Sequence, residues 1–140
     1  MIATFRRPLR ALALLALVSC DDRGAGLTGV TPGLPASVLV ITSQPTDEQV
    51  NTNISPAIQV AVRNAAGQTM STSTAAITVQ ITPTTGTAGA TLQGTTTQVA
   101  TNGVALFNNL SINTAGTGYT LTFSALGLTA AVSQAFAITP

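Results

Sequence analysis

The chain of 140 residues has no histidine and no tryptophan, its five basic residues are all arginine, and it holds a single cysteine. Each absence removes a class of chemistry. Without imidazole or lysine amine, the common general bases and Schiff-base nucleophiles of enzymes are missing, and the abundant serine and threonine hydroxyls have nothing to activate them. Zinc and the redox metals lack ligand sets, and one cysteine cannot form a disulfide within the chain. Charged residues make up 6% of the sequence, against about 25% in an average soluble domain. A basic footprint for nucleic acid or acidic headgroups is therefore absent. Aromatic residues are equally scarce at 4%, which leaves few rings for stacking on sugars or for anchoring a protein interface. No apolar run approaches the roughly 20 residues of a membrane-spanning helix. The expectation is a protein that is not an enzyme and carries no metal or cofactor.

What is present begins at the N-terminus. Arg6, Arg7 and Arg10 precede an apolar run over residues 11–18, followed by Ser19 and Cys20. A basic stretch, a short apolar stretch and a small residue before a cut are the layout of a secretory signal peptide. A lone cysteine in apolar surroundings also has a plainer reading as a buried small hydrophobe, and an ordinary signal-peptidase site is a second alternative. The run Leu17-Val18-Ser19-Cys20 resembles the lipobox of bacterial lipoproteins. That resemblance implies cleavage before Cys20, a diacylglyceryl thioether on its sulfur and acylation of the new amino terminus. Two or more acyl chains anchor a protein stably on a bilayer. The implied location is the bacterial cell envelope, with the outer membrane or cell surface preferred and the inner membrane left open. Once the leader is removed, Arg23 and Arg63 face Asp21, Asp22, Asp47 and Glu48, so the mature chain is slightly acidic.

Residues 21–35 read DDRGAGLTGVTPGLP, rich in glycine and proline and without periodicity. This is a tether, and at ~5–6 Å × √n it spans on the order of 20 Å. The organisation expected is thus a signal peptide over 1–19, an anchored tether over 20–35 and one folded domain over 36–140.

Beyond residue 36 apolar residues recur with period two: Ile58, Val60 and Val62; Ile77, Val79 and Ile81; Leu121, Phe123 and Ala125. Such alternation buries one face of a strand and solvates the other. Asn102-Gly103 lies between two β-prone runs, and both central residues of a type I′ turn need positive φ, which Asn and Gly tolerate. Gly67, Gly86, Gly89 and Gly127 mark other turns. The spacing predicts strands near 37–43, 57–64, 75–82, 90–99, 103–112, 118–126 and 132–139. About seven strands in about a hundred residues is the rhythm of an all-β, immunoglobulin-like β-sandwich. Tyr119 follows a glycine-rich corner and precedes Leu121 by two, the place of a tyrosine corner whose hydroxyl bonds upstream backbone. An ordinary half-buried tyrosine is the competing reading. Phe107, Phe123 and Phe136 fall on inward positions of the alternation.

The stretches ISPAIQVAV (residues 54–62), NAAG (64–67), NGVALFNNLSI (102–112) and AGTGYTL (115–121) resemble bacterial Ig-like repeats of the invasin/intimin type. The resemblance covers residues 36–140 and rests on turn and core residues, so it implies a fold and a cell-surface context without naming an activity. In that family such modules form stalks of surface proteins.

Two candidate interaction features remain. The segment 47–53, DEQVNTN, is rich in oxygen ligands of the kind Ca²⁺ accepts, but no recognised loop spacing matches and a solvated loop is the plainer reading. Strand edges, thinly guarded by Pro45, Pro56 and Pro83 and without lysine, offer main-chain hydrogen bonds to a protein partner or a second copy. The leading expectation is a structural or interaction module held on a bilayer through acylated Cys20. The alternative is an adhesin that binds a host or matrix ligand through loop residues such as Asp47, Glu48 and Asn51.

Overall fold

Branched side chains at every second position favour extended pairing, because burying one face of a strand leaves the other free for water. The computed structural model describes residues 33–140. The expected signal peptide, Cys20 and the tether as far as residue 32 lie outside the described residues. Leu34–Pro140 form a compact unit. Among the described residues there is no helix, and the strands are β1 (Ala36–Ser43), β2 (Glu48–Gln49), β3 (Ile58–Asn64), β4 (Ala76–Ile81), β5 (Leu92–Gln93), β6 (Thr97–Val99), β7 (Val104–Phe107), β8 (Ser111–Ile112), β9 (Gly116–Tyr119), β10 (Leu121–Ser124), β11 (Ala131–Val132) and β12 (Phe136–Thr139).

They form two layers. The first has the order β1-β3-β7, antiparallel throughout. It is prolonged by β8, which follows β7 after residues 108–110 and pairs with β5. The second has the order β11-β10-β4-β6. Only Thr120 separates β9 from β10, and residues 133–135 separate β11 from β12, so the ladder β2-β12-β9 continues the same pair of strands. Pairing of β1-β3-β7 against β11-β10-β4 matches the A-B-E and C-F-G arrangement of immunoglobulin-like sandwiches.

The inward residues meet between the layers. Ile58, Val60 and Val62 of β3 and Phe107 of β7 are buried from one side, Ile77 and Val79 of β4 and Leu121 and Phe123 of β10 from the other. The Phe107 and Phe123 rings touch with centroids 5.4 Å apart and planes tilted by 60°, a favourable edge-on arrangement. These residues belong to one core cluster that also includes Leu39, Ile112, Tyr119, Phe136 and Ile138. The fold is an all-β sandwich.

Besides the predicted strands 118–126 and 132–139, which divide at Thr120 and over residues 133–135, three expectations need correction. The predicted strand 90–99 is two pieces in opposite layers: β5 pairs with β8, and β6 pairs with β4. The chain bends at Gly94, whose φ is +98° and whose missing Cβ lets the Asn109 carbonyl come against its Cα. Likewise, the predicted strand 103–112 is interrupted between β7 and β8. At Asn102-Gly103 the turn forms, with φ of 52° and 79°, and Thr101 and Val104 exchange backbone bonds of 2.9 and 3.1 Å. The ladder ends at that one bridge, because β6 and β7 then join different layers. Finally, the loop after β1 contains a strand that alternation could not reveal: two-residue β2 runs parallel to β12. Pro45 lies buried where the chain passes from the first layer to the second.

Candidate interaction surface

The pairing sorts the loops onto two ends of the sandwich. At the end where the chain enters, Ala36 pairs with Asn64, the Val62 N–H donates to the Gly103 carbonyl at 2.8 Å, and the Met70 N–H donates to the Val62 carbonyl at 2.8 Å. Thr129 joins them: its N–H donates to Ser37 and its carbonyl accepts from Leu39, both at 2.9 Å. The loops 64–70 and 101–104 and the turn 125–129 therefore surround the first residues of β1. At the opposite end lie the segment 50–55, the loop 82–90 and the corner 113–118. There Asn51 and Ile54 donate backbone bonds to Ile112 and Leu110, and the Thr87 hydroxyl donates to the Ala115 carbonyl at 2.8 Å.

Tyr119 is fully buried. Its hydroxyl donates to the Thr114 carbonyl at 2.8 Å, which is the upstream backbone bond of a tyrosine corner. Its ring packs at 6.1 Å from that of Phe136 and forms the floor under Gly86. Leu121, Phe123 and Phe107 lie in the core beside it. All four aromatic rings of the described residues are thus buried, and none faces a ligand.

The oxygen-rich segment is occupied by its own backbone. A carboxylate oxygen of Asp47 accepts the Ala137 N–H at 2.7 Å, and the Glu48 carbonyl accepts the Thr139 hydroxyl at 3.3 Å. Asn51 takes a left-handed conformation, φ 60°, while its N–H donates to Ile112 at 2.9 Å. Asp47 and Glu48 thus hold β2 onto β12, while Asn51 ties the following turn to β8. Among the described residues no three metal-ligating side chains gather. An open hollow of about 420 Å³ over the loop 82–90 is lined by uncharged residues such as Thr82, Pro83 and Thr87.

Two buried polar side chains escaped the sequence reading because they serve the backbone. Asn64 accepts the N–H groups of Ala66 and Gln68 through one oxygen, each at 3.0 Å, and so closes its loop. Ser133 accepts the Leu121 N–H at 2.9 Å where the strand pair β10–β11 gives way to β9–β12. Free surface lies elsewhere. Of the strands at sheet edges, β6 and β2 are only three and two residues long, and such shortness blunts edge pairing; β1 is eight residues long and also an edge, and its outer side meets Thr129 through Ser37 and Leu39. Exposed apolar side chains are Leu34, Val99, Leu106, Leu126 and Val132, of which Leu126 is 102% exposed. Compared with protein-family models and with curated proteins, the chain matches none.

Proposed function

We propose that this chain is a lipid-anchored module of the bacterial cell envelope, cut before Cys20, held on a bilayer by the acylated cysteine, and presenting one β-sandwich on a short tether as a structural or interaction element. The observation that carries this reading is the lipobox-like Leu17-Val18-Ser19-Cys20 behind a basic and apolar leader. The folded residues support a passive role. Their aromatic rings fill the core, and their Asp47 carboxylate caps backbone. The likeness to invasin/intimin-type Ig-like modules belongs to the same proposal and rests on the sequence stretches that carry it. Adhesion through Asp47, Glu48 and Asn51 is the weaker alternative, since the Asp47 carboxylate holds the Ala137 N–H, although Glu48 and Asn51 bond only through their backbone.

Protease shaving of intact cells that express the native chain or Cys20→Ala tests the reading. Membrane-bound native protein with a released variant is expected. A variant that fractionates with the membrane like the native chain would refute the anchor. Digestion of the native protein on whole cells would place the module outside, and protection until the envelope is opened would place it facing the periplasm.

A further inference from the structure

Leu126 is the most exposed large apolar side chain of the sandwich. It stands at the tip of the tight turn linking β10 to β11, where the Leu128 N–H donates to the Ala125 carbonyl at 3.2 Å and Gly127 has a φ of +77°. Leu128 turns inward onto the core, which leaves Leu126 pointing out of the turn with no contact that folding requires. The next residue, Thr129, is bonded to Ser37 and Leu39. The tip is therefore fastened beside the start of β1, close in the chain to Leu34, which is 49% exposed. From Leu34 the chain leads back toward Cys20.

Charge is distributed along the same axis. Arg63, the only cation among the described residues, pairs with Val38 near the end where the chain enters. The only acids among them, Asp47 and Glu48, bind Ala137 and pair with Ile138. These lie on the order of 20 Å further along the path of β11 and β12. The end at which β1 begins thus carries Leu34 and Leu126, with the half-buried Arg63, whose Nε is buried without a hydrogen-bond partner, close by in the ladder, and Asp47 and Glu48 sit away from it.

We infer that this end, with Leu126 at its tip, rests on the bilayer that holds the chain, inserting the turn 125–128 among the headgroups and keeping the sandwich upright with its acidic end outward. The inference rests on the anchor proposed above. Two leucines and an arginine are too few to hold the domain on lipid unaided, but a tethered domain pays little entropy for a second contact with the same surface.

Because the chain has no tryptophan, single indoles report without background. The full chain would be produced in a bacterial host as Leu126→Trp and as Gln49→Trp, the latter an exposed position of β2 at the acidic end. Each would be purified with its anchor and reconstituted into vesicles of phosphatidylcholine and phosphatidylglycerol. The expected result is blue-shifted emission for Leu126→Trp, quenched by lipids brominated on the acyl chains, with neither effect for Gln49→Trp. In the unsubstituted chain, amide exchange across residues 125–129 should slow on vesicles relative to detergent. An indole at position 126 that behaves like the one at position 49 overturns the inference. So does slowed exchange without quenching, which would put a protein against the turn. The mass of the N-terminal peptide separates the two readings: acylated Cys20 with an unquenched indole removes only the contact, whereas an unmodified Cys20 removes the anchor and the contact together.

Discussion

Gly86 and Gly89 lie in one loop, and both have positive φ, 68° and 84°. Their surroundings differ. A Cβ on Gly89 would meet nothing within 4 Å, whereas a Cβ on Gly86 would fall on the Tyr119 ring, against Cδ1 and Cε1. Alanine at either position incurs the left-handed backbone cost, roughly 1–2 kcal/mol, partly offset by about 0.4–1 kcal/mol from a less free unfolded chain. Only Gly86→Ala adds the overlap. The ring cannot retreat easily, since Tyr119 is fully buried, packs against Phe136 and is held by its hydroxyl at 2.8 Å from the Thr114 carbonyl. Relief requires displacing the ring or lifting the loop and breaking bonds such as Thr87 to Ala115. Overpacking of this kind costs about 1–3 kcal/mol, and a lost hydrogen bond adds about 1 kcal/mol. Gly86→Ala should therefore be less stable than Gly89→Ala by about 2–4 kcal/mol, a gap of roughly 10–20 °C in Tm for a domain of this size. Thermal and urea unfolding followed by circular dichroism would measure both. Equal melting of the two variants would refute the claim that the loop is seated on the tyrosine corner.

Phe123→Ala empties a fully buried site beside Phe107, and urea unfolding should show a loss of about 3–5 kcal/mol; an unchanged midpoint would contradict the core assignment. Tyr119→Phe removes only the bond to Thr114, so its loss should be near 1 kcal/mol, with near-native packing by NMR. Asp47→Ala frees the Ala137 N–H and should cost about 1 kcal/mol, seen as faster amide exchange at Ala137 and along β2; abolished attachment to a ligand with unchanged exchange would instead favour the adhesin reading.

The alternation in β3, β4 and β10 was legible because period two has one physical solution: side chains of Ile58, Val60 and Val62, or of Leu121 and Phe123, share a face and seek a core. The turn at Asn102-Gly103 was legible for a local reason as well, since positive φ at two successive positions selects those residues. The breaks were not. Residues 90–99 carry strand propensity throughout, and the change of layer at Gly94 depends on Asn109, distant in the chain, coming against its backbone. Strand β2 was hidden because two residues have no periodicity and their partner, β12, lies some ninety residues later. Asp47 belonged to a segment whose plainer reading was a solvated loop, nothing local singled out the roles of Asn64 and Ser133, and only the folded backbone shows which N–H groups the three satisfy. Leu126 was legible as a leucine before a turn glycine, but its full exposure beside the start of β1 follows from the Thr129 pairing.

By itself, then, the sequence determined the class of the fold, the inward residues and the tight turns, because these depend on local backbone preference and on side-chain chemistry. Only the tertiary structure decided which layer each strand joins, which polar groups are spent on backbone, and that Leu126 lies beside the start of β1. Those outcomes depend on contacts between residues far apart in the chain, where packing geometry outweighs local propensity.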